Sequence, residues 1–222
     1  MSNPTAQPTP TPDPPLFHFP QPGGTGESLA DLPLAVVDVE TTGFSPGADR
    51  IVEVAVVRVA PDGTVMEQFV SLVDPGRDVG PTWVHQITDE MVAGAPTFAD
   101  IAGDVLELFD GAVVVAHNAG FDGGFLGFEL ANAGIATPAV PAACTMQLAR
   151  WSRLDVPNFK LVTCCEKLGL TNTGAHSALG DALVTAQLAS QLLTTHDLDL
   201  RWASGPPALP RPARGAQARL RA

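Results

Sequence analysis

The sequence predicts an α/β fold in which helices flank a mixed β-sheet of five strands. The first observation is the order of its segments, which runs β-β-β-α-β-α-β-α-α. Consecutive strands followed by alternating helices and strands are typical of a mixed sheet with helices packed against it. The second observation is that 45% of the 222 residues are hydrophobic, which suffices for one medium-sized domain with a buried core.

The five predicted strands are short apolar runs rich in β-branched residues. The first run is continuous, as expected of a buried strand. Pro61, Asp62 and Gly63 form a turn signal between the second and third runs, so these two strands are predicted to pair as an antiparallel hairpin. The strands are predicted at residues 34–39, 51–59, 65–73, 112–116 and 143–146.

Four segments carry helical signals. Residues 98–109 have apolar side chains at helical spacing, and Gly111 ends the segment. A second helix at residues 125–133 is closed by Gly134. The last two helices are predicted at residues 161–168 and 178–193.

The two ends of the chain differ in composition from its middle. The first residues are rich in proline and threonine, and residues 201–222 combine prolines with five arginines and no acid. Such compositions predict disordered tails at residues 1–30 and 201–222. The folded domain is therefore expected at residues 31–200.

The charge of the chain limits how it could bind nucleic acid. The formal net charge is −12, and residues 31–200 hold 22 acids and seven bases. Such a domain cannot hold a long polyanion by phosphate attraction alone. Bound metal ions could still supply the local positive charge needed to act on a chain end.

Other global features point to the cytoplasm. No apolar run is long enough to span a bilayer, and the N-terminus lacks the basic-then-apolar pattern of a signal peptide. Three cysteines, two of them adjacent, do not make a disulfide framework. We therefore expect a cytoplasmic protein without membrane association.

Two acids at the end of the first strand are candidate metal ligands. Asp38 and Glu40 are two residues apart, so in a strand they project from the same face. Their charges repel unless a cation or a proton lies between them. The following Thr41, Thr42 and Gly43 offer hydroxyls, backbone N–H groups and room for close approach. A solvated strand end is the alternative explanation.

Three further candidates lie near predicted helix starts. Asp122 follows a strand and a polar turn, where an acid could also simply stabilise a helix N-terminus. His176 and Asp181 are five residues apart and cannot share a helix face. If both reach one site, His176 must lie in the loop before the last helix, with Ser177 as the helix cap and Asp181 in or near the first turn. A surface histidine and a surface acid are the alternative.

These five residues together indicate metal chemistry. Carboxylates with one histidine and no cysteine suit hard divalent ions such as Mg²⁺ or Mn²⁺ better than zinc. Such ions commonly serve reactions of phosphate esters. The candidate set is Asp38, Glu40, Asp122, His176 and Asp181.

In this order, the local sequences resemble the motifs of the DEDDh, or DnaQ-like, 3′→5′ exonuclease family. The three motifs are matched by DVETTG, NAGFD and HSALGD, and HQITDEMVAGAP is similar to a linking segment of bacterial members. The resemblance covers residues 33–195 and every residue of the catalytic set. It implies a ribonuclease H-like fold and release of nucleoside 5′-monophosphates from a 3′ end.

The resemblance also implies a role for each residue. Two divalent metal ions, Mg²⁺ or Mn²⁺, are expected. Asp38, Glu40 and Asp181 would hold the ion that activates water, and Asp38 would also contact the second ion with help from Asp122. His176 would be the general base. The pocket for the terminal nucleotide would be lined by Thr41, Thr42, His85, Asn118 and Phe121.

The biological role is left open by the sequence. The domain resembles the epsilon-type proofreading exonuclease of bacterial DNA polymerase III, which predicts a DNA 3′ end as substrate and a polymerase subunit as a possible partner. A free-standing exonuclease for repair is the alternative within DNA metabolism. An RNA-trimming exonuclease of the same family is the second enzyme hypothesis. A nucleic-acid-binding module without catalysis is disfavoured by the intact set of acids and histidine.

Overall fold

The computed structural model describes residues 15–19, 25–174, 176–195, 200–202 and 206–212, and its centre is one mixed β-sheet. The sheet has six strands, and a separate two-stranded ribbon is formed by β2 (Glu27–Ser28) and β8 (Arg201–Trp202). The strands of the main sheet are β1 (Phe17–His18), β3 (Leu34–Thr41), β4 (Ile51–Val59), β5 (Val65–Leu72), β6 (Val113–Ala116) and β7 (Val140–Cys144).

The strand order in the main sheet is β1-β7-β6-β3-β4-β5. Strands β3, β4 and β5 are antiparallel neighbours, as the turn signal between the last two predicts. Strands β6, β7 and β1 add to the other side of β3 in parallel. The five predicted strands are all present, and the mixed α/β fold class is confirmed with β1 as an additional sixth strand.

Seven helices occur in the described part of the chain. The two longest flank the sheet on opposite sides, because each buries an apolar face on one side of it. The helices are α1 (Thr82–His85), α2 (Asp89–Val92), α3 (Phe98–Phe109), α4 (Ala119–Asn132), α5 (Thr145–Trp151), α6 (Leu161–Lys167) and α7 (Ala178–Thr195). A 3₁₀ turn at Leu29–Asp31 precedes β3.

The alternation of side chains along β3 divides the core into two layers. Val37 and Val39 belong to the cluster that packs against α3 and α4. Leu34 and Val36 belong to the cluster on the other face, which includes Ala182 and other residues of α7. Side chains at even-numbered positions of β3 therefore face α7. This parity sets where Asp38 and Glu40 point.

Strand β1 lies inside a segment predicted to be disordered. Leu16 and Phe17 are buried, and Phe17 pairs with Val140 at the edge of the sheet. A Cβ at Gly123 of α4 would collide with the Phe17 ring, so the glycine makes room for it. The prediction of a disordered tail is wrong for residues 15–19, because their apolar side chains complete the core. The same holds for the buried Leu209 near the other end. Residues 1–14 and 213–222 lie outside the described part.

Two local assignments differ from the sequence prediction. Helix α4 begins six residues earlier than predicted, at Ala119, because Gly123 and Gly124 are close-packing positions and do not break the helix. Strand β7 ends at Cys144, and α5 follows directly where a strand was predicted to continue. Pro141 lies inside β7, and a proline hides a strand from pattern analysis.

The last observation on the fold concerns membranes. Among the described residues, no helix combines the length and the apolar character needed to cross a bilayer.

Candidate active site

The site is built around the end of β3. Asp38 and Glu40 are half-buried on the face of the sheet that α7 covers. Strand β3 pairs with β6 only through Leu34–Val36, so its last residues extend beyond the end of β6. The two predicted carboxylates therefore project together, at a place that side chains from neighbouring helices can reach.

The start of α7 brings the third carboxylate and the histidine. Asp181 lies in the first turn of α7, and His176 lies in the turn before that helix. The His176 backbone N–H donates to the Asp181 carboxylate. The Ser177 hydroxyl accepts from the Gly180 N–H at 3.2 Å and so caps the helix. The predicted placement of these three residues is confirmed.

Asp122 enters the site from α4. It lies in the first turn of that helix and is buried, with 3% of its surface exposed. Its carboxylate accepts hydrogen bonds from its own N–H and from the N–H of Val39 on β3. The extension of β3 beyond β6 leaves that N–H free to pair with a side chain. Strand β3 thus binds Asp122 through its backbone and presents Asp38 and Glu40 through its side chains.

The resulting group of acids fits a hard divalent cation. Carboxylate oxygens of Asp38, Glu40 and Asp181 all lie within 4.8 Å of one another. Oxygen ligands in such a group suit Mg²⁺ or Mn²⁺. Asp122 lies close enough to Asp38 to raise the pKa of that carboxyl by repulsion. Four carboxylates from β3, α4 and α7 therefore share one small volume.

Burial and mutual repulsion raise the pKa values of these acids. Burial, followed by repulsion from Asp122 and Asp181, raises the pKa of Asp38 well above its usual range. Burial and the charge of Asp181 raise the pKa of Glu40 to about 7. Burial raises the pKa of Asp122 to about 8, although its two backbone hydrogen bonds oppose the shift. Without cations, the cluster therefore tends to retain protons.

Asp181 is affected less strongly, because several groups stabilise its charge. Burial raises the pKa of Asp181, while the side-chain amide of Asn172, the charge of His176 and the His176 N–H act in the opposite direction. Asn172 donates to Oδ1 of Asp181 and accepts from the Gly174 N–H at 3.0 Å. It therefore links the loop before His176 to the first turn of α7.

Glu53 is a fifth acid at this site, and the sequence analysis missed it. It lies on β4 directly opposite Glu40, on the same face of the sheet. Its Oε2 accepts the N–H of Ala178, the first residue of α7, at 2.9 Å. Burial raises the pKa of Glu53 and the hydrogen bond from Ala178 opposes this. The sequence signal that could have identified Glu53 is its position as an acid within the apolar run of β4.

The loop after β3 uses its polar groups internally. Thr41 and Thr42 are buried. The Thr41 hydroxyl donates to the Gly43 carbonyl at 2.6 Å, and the Thr42 hydroxyl donates to Asp49 at 3.2 Å. The Asp49 carboxylate lies against the Gly43 Cα, where any side chain would collide with it. The close approach predicted at Gly43 is thus made by Asp49.

His85 also has a partner at each ring nitrogen. Its Nδ1 accepts the Ile87 N–H at 3.0 Å, so Nε2 carries the proton and donates to the Val79 carbonyl at 3.2 Å. Burial lowers the pKa of His85. A Cβ at Gly80 would collide with the Thr42 backbone, which places this segment beside the loop after β3. The segment that contains His85 therefore lies beside the loop after β3, and both ring nitrogens of His85 have partners.

Asn118 and Phe121 lie at the start of α4, close in sequence to Asp122. Asn118 has left-handed backbone angles, is exposed, and makes no side-chain capping bond. Asparagine adopts this conformation more readily than most residues. Phe121 is half-buried, packs against the core, and has its ring centroid 4.9 Å from that of Phe125. Both side chains keep surface that a ligand could contact.

The fold and its acidic cluster define a domain suited to hydrolysis of phosphate esters. Residues 35–189 match the model of the Exonuclease family, RNase_T. The match covers more than half of the chain, and the chain therefore belongs to this exonuclease family.

Curated relatives are about one-third identical over most of this chain. The 3′-5′ exonuclease DinG of Bacillus subtilis (strain 168) is 36% identical over 162 residues, which are 71% of this chain and 17% of that protein. DNA polymerase III PolC-type of Clostridium perfringens is 36% identical over 164 residues, 73% of this chain and 11% of that protein. The chain therefore spans less than one-fifth of the length of either relative.

Solved structures share the fold at lower identity. Escherichia coli exonuclease I in complex with a dT13 oligonucleotide has a TM-score of 0.63 and 19% identity, over 73% of this chain and 41% of that one. A 3′-exonuclease that recognises the histone mRNA stem-loop has a TM-score of 0.66 and 19% identity, over 82% of this chain and 94% of that one. These similarities confirm the predicted fold class.

Proposed function

We propose that this protein is a metal-dependent 3′→5′ exonuclease that releases nucleoside 5′-monophosphates from the 3′ ends of DNA. The observation that carries the proposal is the convergence of Asp38, Glu40, Asp122 and Asp181, with His176 beside them. Burial and mutual repulsion of these carboxylates destabilise the folded protein. Such an arrangement is expected where cations bind and take part in catalysis. All five residues lie within the range that matches the exonuclease family.

We assign the carboxylates to two proposed cation positions. Asp38, Glu40 and Asp181 would hold one ion, because their oxygens already lie within 4.8 Å of one another. Asp38 and Asp122 would contact a second, since they are close neighbours on β3 and α4. Two Mg²⁺ or Mn²⁺ ions would stabilise the charge on the attacking and leaving oxygens of the phosphodiester.

His176 is the residue best placed to accept a proton from the attacking water. Its side chain is exposed, and it lies in a turn, so it can approach a reactant at the surface of the site. The Asp181 carboxylate is near enough to interact with a positive charge on the ring. Asp181 would therefore stabilise the imidazolium that forms after the proton transfer.

The terminal nucleotide would lie between two walls. One wall is formed by Thr41, Thr42, Gly43 and the His85 segment, and it would contact the nucleotide through its backbone because its polar side chains are occupied. The other wall is formed by Asn118 and Phe121. The Phe121 ring can stack on a base, and the Asn118 amide can bind the sugar or phosphate.

A role on DNA 3′ ends in proofreading or repair is the leading proposal. It is supported by the relatives named DNA polymerase III PolC-type and 3′-5′ exonuclease DinG. A polymerase subunit is accordingly a proposed partner, and the cytoplasm the proposed location. RNA trimming is the second candidate, because the fold of the histone mRNA exonuclease matches over most of both chains.

The deciding experiment is a time course on 5′-labelled DNA and RNA of one sequence. We expect a ladder that shortens by one nucleotide at a time from the 3′ end, with mononucleotides as product. Activity should be lost in EDTA and return with Mg²⁺ or Mn²⁺. A faster rate on DNA supports the leading proposal, and a faster rate on RNA supports the second.

Two results would contradict the proposal. Cleavage of closed-circular single-stranded DNA would show an endonuclease, because a circle has no 3′ end. Undiminished hydrolysis in EDTA would exclude metal-dependent chemistry. The variant Asp38→Asn, which keeps the size of the side chain and removes its charge, is the matched control for a contaminating nuclease.

A further inference from the structure

We propose that a cleft between the start of α4 and helix α5 binds the nucleotide next to the terminal one, through its phosphate and its base. This inference rests on the proposed exonuclease function. It concerns a different surface from the carboxylates. The side chains that carry it are Arg150, Trp151 and Asn118.

The first observation is the distribution of positive charge. Residues 31–200 hold seven bases, and four of these lie between residues 150 and 167. Only two acids, Asp155 and Glu166, lie in that interval. In a domain with 22 acids, this is a local reversal of charge. A polyanion approaching the protein would be attracted to this segment and repelled elsewhere.

The second observation is the shape of the cleft. Its volume is about 450 Å³, and it is open to solvent. Its floor is the end of β7, which is separated from β3 by the single strand β6. Neighbouring strands are about 4.8 Å apart, so the floor lies about 10 Å from the β3 carboxylates along the sheet. The lining includes Phe19, Asn118, Gly120, Gln147, Arg150 and Trp151.

The third observation is the position of Asn118. It lies four residues before Asp122, at the start of α4, and it also lines the cleft. Its amide is exposed and makes no capping bond. A strand that leaves the carboxylates past Asn118 enters the cleft directly. The next nucleotide along the strand is therefore the group that meets Arg150.

The fourth observation is that the cleft is fixed relative to the carboxylates. His117, next to Asn118, contacts the Thr145 hydroxyl at 2.8 Å and the Phe159 carbonyl at 2.9 Å. These contacts join the residue after β6 to the first residue of α5 and to Phe159 within the basic segment. The Arg150 guanidinium lies over the Phe159 ring, 5.3 Å from its centroid. Arg150 is thereby oriented while remaining exposed.

The lining matches the chemistry of a nucleotide within a single strand. Arg150 offers a cation with several N–H donors to a phosphate. Trp151 and Phe19 offer aromatic surface to a base, and stacking of this kind tolerates any sequence. Asn118 and Gln147 add polar contacts without charge. Among the residues that the structure describes, no acidic side chain lines the cleft.

The test compares Arg150→Ala, Arg150→Lys and Lys167→Ala by fluorescence anisotropy. The probe is a labelled single-stranded DNA whose 3′-terminal linkage is a methylphosphonate, so that it is not cut. Arg150→Ala should weaken binding about 5- to 10-fold and reduce the slope of log K against log salt by about 0.7, the value for one phosphate contact to a single strand. Arg150→Lys should recover part of the affinity.

Lys167 is the matched control. It lies in the same basic segment, is paired with Asp155 at 3.7 Å, and does not line the cleft. Its replacement removes the same charge from the domain but should leave the affinity within about twofold of the unmodified protein. An equal loss in Lys167→Ala and Arg150→Ala would overturn the proposal, because general charge would then explain the binding.

A kinetic comparison separates the cleft from the proposed activity. Thymidine 5′-(p-nitrophenyl phosphate) has one nucleotide and cannot reach the cleft. In Arg150→Ala, kcat/KM for an oligonucleotide divided by kcat/KM for this ester should fall about tenfold. An unchanged ratio together with unchanged anisotropy would overturn the proposal for the cleft and leave the proposed exonuclease function standing. Failure of the unmodified protein to hydrolyse either substrate would overturn the proposed function, and the anisotropy would still decide the cleft.

Discussion

The acidic cluster on β3 and the basic cleft beside α5 differ in burial, charge and internal support. Asp38 and Asp122 are held among other carboxylates, and burial raises the pKa of each. Arg150 is exposed, and its guanidinium lies over the Phe159 ring. The first region is costly to the folded protein without cations, whereas the second costs little.

This difference indicates what each region contributes. Groups kept in an unfavourable arrangement are expected to act on the reaction itself, because the arrangement is preorganised for cations and charge. An exposed arginine contributes binding that is the same before and during the reaction. Substitutions in the cluster should therefore lower kcat, and substitutions in the cleft should mainly raise KM.

The largest expected effects separate Asp38 from His176. Asp38→Asn should abolish turnover and strongly weaken Mn²⁺ binding, because it removes a central member of the cluster. His176→Ala should lower kcat about 10²- to 10⁴-fold, the usual range for removal of a general base, while Mn²⁺ affinity stays within a few fold. Single-turnover kinetics and calorimetric Mn²⁺ titration measure the two quantities.

The Mn²⁺ titration decides whether His176 is a general base or a metal ligand. If His176→Ala lost Mn²⁺ affinity as severely as Asp38→Asn, the histidine would be a ligand and the proposed division of roles would be wrong. Ser152→Ala is a suitable control, since its hydroxyl donates to the Leu148 carbonyl at the end of α5 at 2.8 Å.

The placement of Asp38, Glu40, His176 and Asp181 was predictable because it depends on local spacing. The two-residue period of a strand places Asp38 and Glu40 on one face, and β3 confirms it. The five-residue separation of His176 and Asp181 excludes a shared helix face, and the structure puts His176 in the turn before α7. In both cases the backbone geometry of a few residues determined the result.

The features that were missed depend on contacts between distant segments. Glu53 meets Glu40 through the register of β3 and β4, and it reaches α7 across 125 residues of sequence. The sequence does not reveal that register. Strand β1 pairs with β7, again far along the chain. Helix α5 starts at Thr145 directly after β7 ends at Cys144, so no turn residue marks the boundary between them.

The second prediction concerns the stability of the protein without metal. The pKa values of Glu40 and Asp122, about 7 and about 8, lie above those of the same groups in an unfolded chain. Between about pH 5 and pH 8 the folded state therefore binds more protons than the unfolded state. The free energy of unfolding in EDTA should fall over this range, by several kcal/mol. Urea unfolding at several pH values measures it.

Two controls make that result specific to the cluster. Mn²⁺ should restore stability at pH 8, because it binds the ionised carboxylates of the folded state. Asp38→Asn should flatten the pH dependence of the free energy of unfolding. Asp155→Asn removes the same charge but should not flatten it, because the side chain of Asp155 is fully exposed. A free energy of unfolding that is constant or rises between pH 5 and pH 8 in EDTA would contradict the prediction.

The smallest predicted effect concerns Glu53, which is part of the acidic cluster but also supports the start of α7. It adds charge to the cluster, yet its Oε2 also holds the first N–H of α7 and so positions Asp181 and His176. If positioning is its contribution, Glu53→Ala should lower kcat about tenfold with little change in KM. Glu53→Gln should retain most activity, because the amide oxygen can still accept the bond.

Thr97→Ala tests whether the loss comes from α7 in particular. Thr97 caps α3 through a reciprocal pair with Asp100, and its removal costs about 1 kcal/mol of stability at a helix that contributes no carboxylate to the cluster. Its kcat should remain close to that of the unmodified protein, although its stability falls. If Glu53→Gln were as inactive as Asp38→Asn, the charge of Glu53 would be required, and this acid would belong with the metal ligands.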